Sequence, residues 1–495
     1  MDLYFRGHDY RYAVEQTMLT LFPGQLPRYP QGEPEGASPS ALVTLEEEQD
    51  GAFAARAVLW WEGRRYEAGA AARVEPGSDA LSARRARQRA VRLAFYDAAV
   101  QALGHQPPWG ALTGVRPVKL PTRRLAAGAS GEQVLSELTG LYRVTPDRAA
   151  LALTCAQASL EVGRGLGRDG LSLYLGIPFC PTRCAYCSFI SADVRGALAL
   201  VEPYVDALCR DIALAGAELK GAGLHLSTAY MGGGTPTTLS AGQLDRVLSA
   251  VEQHLPMERC TEFTVEAGRP DTITADKLEV LRSHGIQRIS INPQTMEDAV
   301  LRAMGRAHTA AQIRDAMALA GAHFGGLVNM DLIAGLPGDS PEGFARTLEQ
   351  VLAMAPANLT VHTLALKKGA GLMERQENLC APEAVADMLA QAKGALAAGG
   401  YQPYYLYRQK YMSGSFENVG WCLPGTRCDY NIIMMEELQS VLSLGAGGIT
   451  KLVNPDTGKI TRLSNPKYPK EYLESADKRA QHIRQAVGFQ RSLPL

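Results

Sequence analysis

The chain has few cysteines, no long apolar run and no excess of charge of either sign. Nine cysteines in 495 residues are too few for a disulfide scaffold, and their number is odd. No apolar stretch reaches the roughly 18 residues that a membrane-spanning helix needs. Fifty Lys and Arg against 51 Asp and Glu give a net charge of -1. This balance argues against a dedicated nucleic-acid binder and against a polybasic membrane binder.

The segment 1–12 carries charges at Asp2, Arg6, Asp9 and Arg11, so it lacks the apolar core of a secretory signal peptide. We therefore expect a cytoplasmic protein. In a reducing compartment, closely spaced cysteines bind metal or take part in chemistry more often than they form disulfides. The 46% of hydrophobic residues and 20% of charged residues are typical of globular proteins, and the length suggests about three domains.

The hydrophobic pattern predicts three domains. Residues 1–165 are expected to form an N-terminal α+β domain, residues 170–385 a core, and residues 386–495 a C-terminal α+β region on the substrate side. The core alternates strands with amphipathic helices. Its strand candidates are 171–177, 226–231, 261–267, 287–291, 327–333 and 358–364. This alternation predicts an α/β fold with a parallel sheet, an open sheet or a partial barrel, whose chemistry lies at the carboxyl ends of the strands.

Three of the nine cysteines, Cys180, Cys184 and Cys187, form a Cys-x3-Cys-x2-Cys motif directly after the first strand of the core. Three thiolates on one loop suit three irons of a four-iron cluster and leave the fourth iron open to a substrate or cofactor. A structural zinc loop is the alternative. Such zinc sites usually have four N or S ligands in paired spacings, and no second pair stands nearby. The spacing therefore favours an iron–sulfur cluster.

The segment Tyr174-Leu-Gly-Ile-Pro-Phe-Cys180-Pro-Thr-Arg-Cys184-Ala-Tyr186-Cys187 resembles the signature of radical S-adenosylmethionine (SAM) enzymes. More narrowly, it resembles the oxygen-independent coproporphyrinogen III dehydrogenase (oxidase) family and its haem-chaperone relatives. The resemblance covers about residues 170–450. It continues through Gly232-Gly-Gly-Thr-Pro-Thr237, Glu266-Ala267, Gln294, Gly305-Arg306-Ala-His308 and Asp331-Leu-Ile-Ala-Gly-Leu-Pro337. The segment Thr113-Gly-Val-Arg-Pro117 is similar to the subgroup with an extra N-terminal region.

This resemblance implies a partial (β/α)6 radical SAM barrel, with a [4Fe-4S] cluster on the three cysteines and SAM as the second cofactor. It implies that a one-electron donor such as flavodoxin or ferredoxin reduces the cluster, which then cleaves SAM to a 5′-deoxyadenosyl radical. The SAM contacts that it implies are Tyr186, Gly232, Gly233, Gly234, Thr235, Glu266, Gln294, Arg306 and Asp331. Strand-end hydrogen bonds and core packing are the alternative roles for these side chains.

Two of these contacts have a particular role by resemblance. Arg306 would pair with the carboxylate of SAM, which suits a planar guanidinium fork. Tyr186, between two cluster cysteines, would pack against the sulfonium or the adenine. For the three glycines, the expectation is that their backbone lies close to the methionine part of SAM.

The family resemblance implies oxidative decarboxylation of coproporphyrinogen III to protoporphyrinogen IX, in anaerobic haem and porphyrin biosynthesis. The tetrapyrrole carries four propionates, so its site should offer cations and a flat apolar surface. Tyr405 and Tyr407 are expected to border the macrocycle. The candidate cations are Arg183, Lys367, Lys368, Arg408 and Lys410, and solvated surface charges are the alternative for each.

Two positions and one segment depart from the family pattern. Gly176 stands where members with this activity have His, and Phe189 where they have a fourth cysteine. The haem-holding pattern His-Asn-x-x-Tyr-Trp is also broken, since this chain has Tyr430-Asn431-Ile-Ile-Met-Met. A haem chaperone without decarboxylase activity, or another radical reaction on a tetrapyrrole, therefore stays open.

Tyr174 and Gly176 lie two apart on one strand, so their side chains share a face of the sheet. If Tyr174 faces the cavity, Gly176 leaves a space where the family has His. We therefore expect Tyr174 to act at the substrate as a catalytic residue, while another group or water handles protons. Core packing is the alternative for Tyr174. Cys422 and Cys428 are five residues apart, a nonstandard spacing for a second metal centre, and free thiols are the alternative. The sequence gives no role for residues 1–165.

Overall fold

A computed structural model of the chain describes residues 1–34, 36, 39–47, 51–74, 79–187, 192–193, 196–365, 379–409 and 416–494. The chain divides into two compact units. Unit 1 comprises residues 1–117 and 127–153, and unit 2 comprises residues 118–126 and 154–495.

Unit 1 has a four-stranded sheet and helices that cover it. Its strands are β1 (Asp2–Arg6), β2 (Ser40–Glu47), β3 (Ala52–Trp61) and β4 (Arg64–Arg73), in that order in the sheet. β1 and β2 are parallel, whereas the later pairs are antiparallel. The helices are α1 (Arg11–Leu21), α2 (Ala80–Leu103) and α4 (Gly131–Ser136), with α3 (Lys119–Ala126) in unit 2. An apolar core that includes Val14, Val43 and Phe95 fills the space between sheet and helices.

The helix ends follow the capping residues of the sequence. The side chain of Ser130 accepts a hydrogen bond from the backbone N–H of Gln133, and the Gln133 side chain accepts one from the backbone N–H of Ser130, which begins α4. Helix α5 (Pro146–Gly165) begins with proline at its first position, where the missing N–H leaves no hydrogen bond unmade.

Unit 2 contains a sheet of eleven strands. Six of them are parallel neighbours in the order β12-β11-β10-β9-β8-β5. Their bounds are β5 (Gly170–Ile177), β8 (His225–Gly233), β9 (Glu262–Glu266), β10 (Arg288–Ser290), β11 (Leu327–Ala334) and β12 (Asn358–Thr363). All six lie where the sequence pattern places them. The predicted α/β fold with a partial (β/α)6 barrel is confirmed.

Helices follow the parallel strands and bury their apolar faces against the sheet. They are α6 (Leu198–Gly221), α7 (Ala241–His254), α8 (Ala275–Ser283), α9 (Asp298–Ala303), α10 (Ala310–His323), α11 (Pro341–Ala353) and α12 (Pro382–Ala398). The core between them contains Leu173, Leu208, Val247 and Leu281, all almost fully buried. A short pair, β6 (Phe179–Cys180) and β7 (Ala192–Asp193), follows β5.

The segments after residue 385 extend the same sheet on both sides. Strands β13 (Gln402–Tyr407) and β14 (Asn418–Cys422) continue it beyond β12, and β15 (Val441–Gly445), β16 (Ile449–Val453) and β17 (Ile460–Ser464) continue it beyond β5. Helices α13 (Asp429–Glu436), α14 (Pro469–Leu473) and α15 (Ala476–Arg491) complete the unit. The three-domain division stays a prediction. Strand pairing joins 170–385 to 386–495, because β14 bonds to β12 and β15 bonds to β5.

Candidate active site

The three cysteines of the motif line one cavity of about 350 Å³ in unit 2. The cavity lies at the carboxyl ends of the parallel strands. Two backbone hydrogen bonds hold the cluster loop in place: the N–H of Gly234 donates to the carbonyl of Ile177, and that of Thr235 to Phe179, each at 2.7 Å. The Thr235 hydroxyl also lies 3.5 Å from Cys180 Sγ. The loop after β8 thus fixes the start of the cluster loop.

The donor set fits an iron–sulfur cluster. Among the described residues, no group of three His, Cys, Asp or Glu side chains is placed to hold a single metal ion. Thiolates that bind separate irons of one cluster stand farther apart than the ligands of one ion. Cysteines that do not converge on a single point therefore fit a cluster. Two buried arginines, Arg269 and Arg306, contact Cys184. Buried cations beside thiolates suit an anionic cluster.

Arg306 lies between the cluster loop and the strand ends. Its Nε donates a hydrogen bond to the Tyr186 hydroxyl at 3.0 Å, and its Nη1 donates to the carbonyl of Asn292 at 2.7 Å. Burial alone would lower the pKa of Arg306, but Tyr186 and Cys184 outweigh burial and raise it. Arg306 and Tyr186 both line the cavity, as a SAM contact requires. Their contact with SAM stays a prediction.

Glu266, the last residue of β9, also lines the cavity. Tyr230 donates a hydrogen bond to its Oε1 at 2.7 Å. Burial raises the pKa of Glu266 to about 7, and the charge of Asp331 acts in the same direction, against the hydrogen bond from Tyr230. A carboxyl group with this pKa titrates near neutral pH. A cationic ligand beside it would favour its ionised form.

Asp331, on β11, lies in a hydrogen-bonded setting. Asn329 Nδ2 donates to its Oδ1 at 3.0 Å, and His362 Nε2 lies 3.7 Å from its Oδ2. Burial would raise the pKa of Asp331, but the neighbouring His362 and hydrogen bonds from Asn329 and Thr360 lower it overall. Asp331 therefore stays ionised in the cavity.

Gln294 has a left-handed backbone with φ of 68°. Non-glycine residues seldom adopt this conformation, and it persists where the surroundings enforce it. Its N–H donates to the Asp331 carbonyl at 2.9 Å, and its carbonyl accepts from the N–H of Ile333 at 3.0 Å. Strand β11 thereby holds the Gln294 side chain against the cavity.

The glycines Gly232, Gly233 and Gly234 have close neighbours within the protein. A Cβ atom at Gly234 would stand 2.4 Å from the carbonyl oxygen of Phe179. One at Gly232 would stand 3.0 Å from the Glu266 carboxyl group, and Gly233 has φ of 109°. Gly234 therefore permits the close approach of the β8 and cluster loops. Gly233 and Gly234 line the cavity, whereas Gly232 is not among the described lining residues.

The expected space at Gly176 is absent, so this part of the prediction was wrong. A Cβ atom there would stand 2.8 Å from the carbonyl oxygen of Ala446. The reason is that β15 pairs with β5 and brings the turn after Gly445 against Gly176. Tyr174 is partly buried, and its ring lies parallel to that of Tyr230 at 6.4 Å. It is not among the cavity-lining residues that the structure describes, and its action at the substrate stays a prediction.

Aromatic and amide side chains line the same cavity as the cluster cysteines. They are Tyr230, Tyr405, Tyr407, Gln409, Asn418 and Asn431, with Met435 from α13. The Tyr405 and Tyr407 rings are parallel, with centroids 6.4 Å apart. This surface suits a flat, partly apolar ligand.

Of the expected cations, Arg183 lines the cavity and Arg408 is not among its described lining residues. Lys367, Lys368 and Lys410 lie outside the described residues, as does Phe189. Cys422 and Cys428 are buried, and Cys428 Sγ donates to Glu262 at 2.9 Å. Neither belongs to a metal-binding group among the residues described.

Sequence reasoning missed Arg269 and His362. Arg269 follows β9 by three residues, and this strand-end position was the available signal. His362 lies within β12, and the alternation of β12 side chains gave no sign that it faces a cavity.

Comparison with known proteins supports what the fold and the site indicate. The model of the radical SAM superfamily matches residues 174–351. The oxygen-independent coproporphyrinogen-III oxidase-like protein HemZ of Bacillus subtilis (strain 168) is 40% identical over 371 residues, which cover 74% of each chain. The heme chaperone HemW of Escherichia coli (strain K12) is 29% identical over 307 residues, covering 61% of this chain and 76% of that protein.

A solved structure agrees. Coproporphyrinogen III oxidase (HemN) from Escherichia coli, described as a radical SAM enzyme, matches with a TM-score of 0.52 and 25% identity, over 66% of this chain and 73% of that chain. The chain therefore belongs to the radical SAM superfamily and, within it, to the family of oxygen-independent coproporphyrinogen-III oxidase-like proteins. No helix among the described residues is long and apolar enough to cross a membrane.

Proposed function

We propose that this chain is a radical SAM enzyme that oxidatively decarboxylates coproporphyrinogen III to protoporphyrinogen IX in anaerobic haem and porphyrin biosynthesis. The observation that carries the proposal is the composition of the cavity in unit 2. The cluster cysteines and Arg306 line the same cavity as the parallel rings of Tyr405 and Tyr407 and several amide groups. A cofactor site and flat aromatic surface in one cavity would bring a tetrapyrrole side chain close to the cofactors, as hydrogen removal needs.

Cys180, Cys184 and Cys187 would hold three irons of a [4Fe-4S] cluster, with SAM at the fourth. When bound and reduced by a donor such as flavodoxin or ferredoxin, this pair supplies a carbon radical that can remove a hydrogen atom from an unactivated carbon. The protein contributes binding, orientation and exclusion of water.

The polar residues at the strand ends would orient SAM. Arg306 already donates to Tyr186 and Asn292, so its guanidinium is held in place before a carboxylate binds. Glu266 and Asp331 would face the positive charge of SAM, and Gln294 would offer an amide from a fixed backbone. Preorganisation of this kind lowers the entropic cost of binding.

The overall conversion fixes what the substrate side must do. Each of two propionates loses one hydrogen atom, one molecule of CO2 and one further electron to an acceptor, and becomes a vinyl group. No net proton is consumed. The residues on the substrate side would therefore bind and position the substrate. Tyr405, Tyr407 and Asn431 would position the macrocycle, and Arg183 would pair with a propionate.

The decisive experiment is an anaerobic product assay of the protein reconstituted with iron and sulfide. With SAM, coproporphyrinogen III and a low-potential reductant, we expect protoporphyrinogen IX, CO2 and 5′-deoxyadenosine. The Cys184→Ala variant is the control, since it should form none of these. Cleavage of SAM with an unchanged tetrapyrrole would reject the proposal.

A haem chaperone is the second candidate function. Similarity to HemW supports it, and so does Phe189 at the place of the fourth cysteine. It predicts stoichiometric haem binding and transfer to an apo-cytochrome without turnover of coproporphyrinogen III. Absence of a spectral change on haem titration would reject it. Another radical reaction on a tetrapyrrole would be recognised by the mass of the product.

A further inference from the structure

Arg269 is a buried arginine in contact with the cluster loop. It lies on the loop after β9 and is only 3% exposed. Its Nη1 donates a hydrogen bond to the Thr182 hydroxyl at 3.0 Å and lies 3.9 Å from Cys184 Sγ. Thr182 and Cys184 both belong to the cysteine loop. One guanidinium nitrogen thus reaches both the loop and a cluster thiol.

Asp271 holds this guanidinium in place. Arg269 Nε donates to Asp271 Oδ1 at 2.9 Å, and Nη2 donates to Oδ2 at 2.8 Å. This two-pronged pairing fixes the plane of the guanidinium and directs Nη1 towards Thr182 and Cys184. Asp271 lies in a short helical turn that follows β9. The end of β9 therefore sets the orientation of the Arg269 guanidinium through Asp271.

Two buried guanidinium groups, those of Arg269 and Arg306, lie beside Cys184. Arg269 and Arg306 are cationic, and Asp271 balances one of them. His308, only 1% exposed, adds no charge, because burial together with Arg306 and Arg269 lowers its pKa to about 3. The guanidinium of Arg269 is therefore a buried cation whose Nη1 lies 3.9 Å from Cys184 Sγ, while its carboxylate partner Asp271 bonds to Nε and Nη2.

We propose that Arg269 is a positioning residue of the cluster loop whose charge raises the reduction potential of the cluster. Reduction adds one electron to an anionic cluster, and a cation held in a buried site stabilises the reduced form more than the oxidised form. Loss of the paired hydrogen bonds to Asp271 would also release the Arg269 side chain. The loop that carries Cys184 would then lose the hydrogen bond from Arg269 to Thr182. The proposal rests on cluster binding, which is part of the proposed function, and it is independent of the substrate.

The test compares Arg269→Gln and Arg269→Lys with the wild type after anaerobic reconstitution, without SAM. Iron content is measured first, and the midpoint potential is then titrated with dithionite and mediator dyes, followed by electron paramagnetic resonance. We expect a more negative midpoint potential for Arg269→Gln. We expect a smaller shift but a lower iron content for Arg269→Lys, which keeps the charge and loses the fork. Arg479→Gln is the matched control, since Arg479 is a buried arginine paired with Asp211 at 2.7 Å.

Equal potentials and equal iron contents in Arg269→Gln and the wild type would overturn the proposal. So would the same shift in Arg479→Gln, because it would then reflect general destabilisation. If Arg269→Gln holds no cluster, the lysine variant decides: full iron content there would contradict the positioning role. A wild type without a cluster would overturn this inference together with the proposed cofactor. A wild type with a cluster but no tetrapyrrole turnover would reject only the proposed substrate.

Discussion

Tyr230 donates a hydrogen bond to Glu266 at 2.7 Å, and both residues line the candidate active-site cavity. The Tyr230 ring stacks on Tyr430 of helix α13 with centroids 4.7 Å apart. Glu266 ends strand β9. At the other end of β9, Glu262 accepts hydrogen bonds from the N–H groups of Asp429 and Tyr430, at 3.2 and 3.3 Å. Glu262 and Glu266 are the first and last residues of β9, so this strand is linked to α13 at both of its ends, directly at Glu262 and through Tyr230 at Glu266.

Removal of a cluster thiol should abolish the cluster. In Cys180→Ala, Cys184→Ala and Cys187→Ala we expect a folded chain without the brown visible absorbance of the reconstituted wild type. Circular dichroism checks the fold, and iron analysis checks the cluster. Cys209→Ala, outside the cavity lining, is the control. A full cluster in all three variants would place the ligands elsewhere.

Arg306→Ala should weaken SAM binding by ~1.5–3 kcal/mol, the range for a hydrogen bond to a charged group. The measurement is the dissociation constant of SAM by equilibrium dialysis against the cluster-loaded protein. Tyr186→Phe, which removes only the hydroxyl that accepts from Arg306, should have a smaller effect. An unchanged dissociation constant in Arg306→Ala would exclude Arg306 from the SAM site.

The pKa of Glu266 makes the stability of the apoprotein depend on pH. Its ordinary value of 4.5 applies to the unfolded chain, whereas burial raises it to about 7 in the folded state. Between these values the folded state holds a proton that the unfolded chain has released. The free energy of unfolding should therefore fall as the pH rises from 4.5 to about 7, by about 3 kcal/mol.

Denaturant unfolding of the apoprotein across this pH window is the measurement, with Glu266→Gln as the control that lacks the titrating group. Within this window, the free energy of unfolding should fall with pH more steeply in the wild type than in Glu266→Gln. Above about pH 8 the two pH profiles should be parallel. Identical pH profiles would show that Glu266 titrates normally.

Gly234→Ala should destabilise the chain, because its Cβ would stand 2.4 Å from the carbonyl oxygen of Phe179. The cost of such overpacking is about 1–3 kcal/mol. Denaturant unfolding measures it, and the iron content should fall as the cluster loop shifts. Gly242→Ala on α7 is the control, because a Cβ atom there meets no atom within 4 Å. It should leave the stability and the iron content unchanged or slightly increased. Equal behaviour of the two variants would contradict the close approach.

Tyr174→Phe keeps the ring and removes the hydroxyl, so it should slow substrate turnover more than SAM cleavage. Both rates come from one anaerobic assay, as product and 5′-deoxyadenosine. Tyr204→Phe, whose hydroxyl bonds to the Gly176 carbonyl in the core, is the comparison for a structural effect. Equal loss of both rates would place Tyr174 at the cofactor, and no loss would make it a packing residue.

Local pattern in the sequence determined the six parallel strands, the helices between them and the position of the cysteine loop. Periodicity and capping act within a few residues, so a sequence displays them directly. The ordered motifs also determined the family. Most of them lie at or near the carboxyl ends of strands that the pattern already marks, whereas Gly305-Arg306-Ala-His308 follows helix α9.

Only the tertiary structure decided what each strand end meets. Gly176 has no space beside it because β15, about 270 residues later, pairs with β5. Arg269 reaches Cys184 because the ends of β9 and β5 converge on one cavity, and Asp271 turns its guanidinium. Such contacts depend on which strands become neighbours, and spacing along the chain does not contain that choice. The meeting of cationic and aromatic side chains in one cavity is therefore a property of the folded sheet.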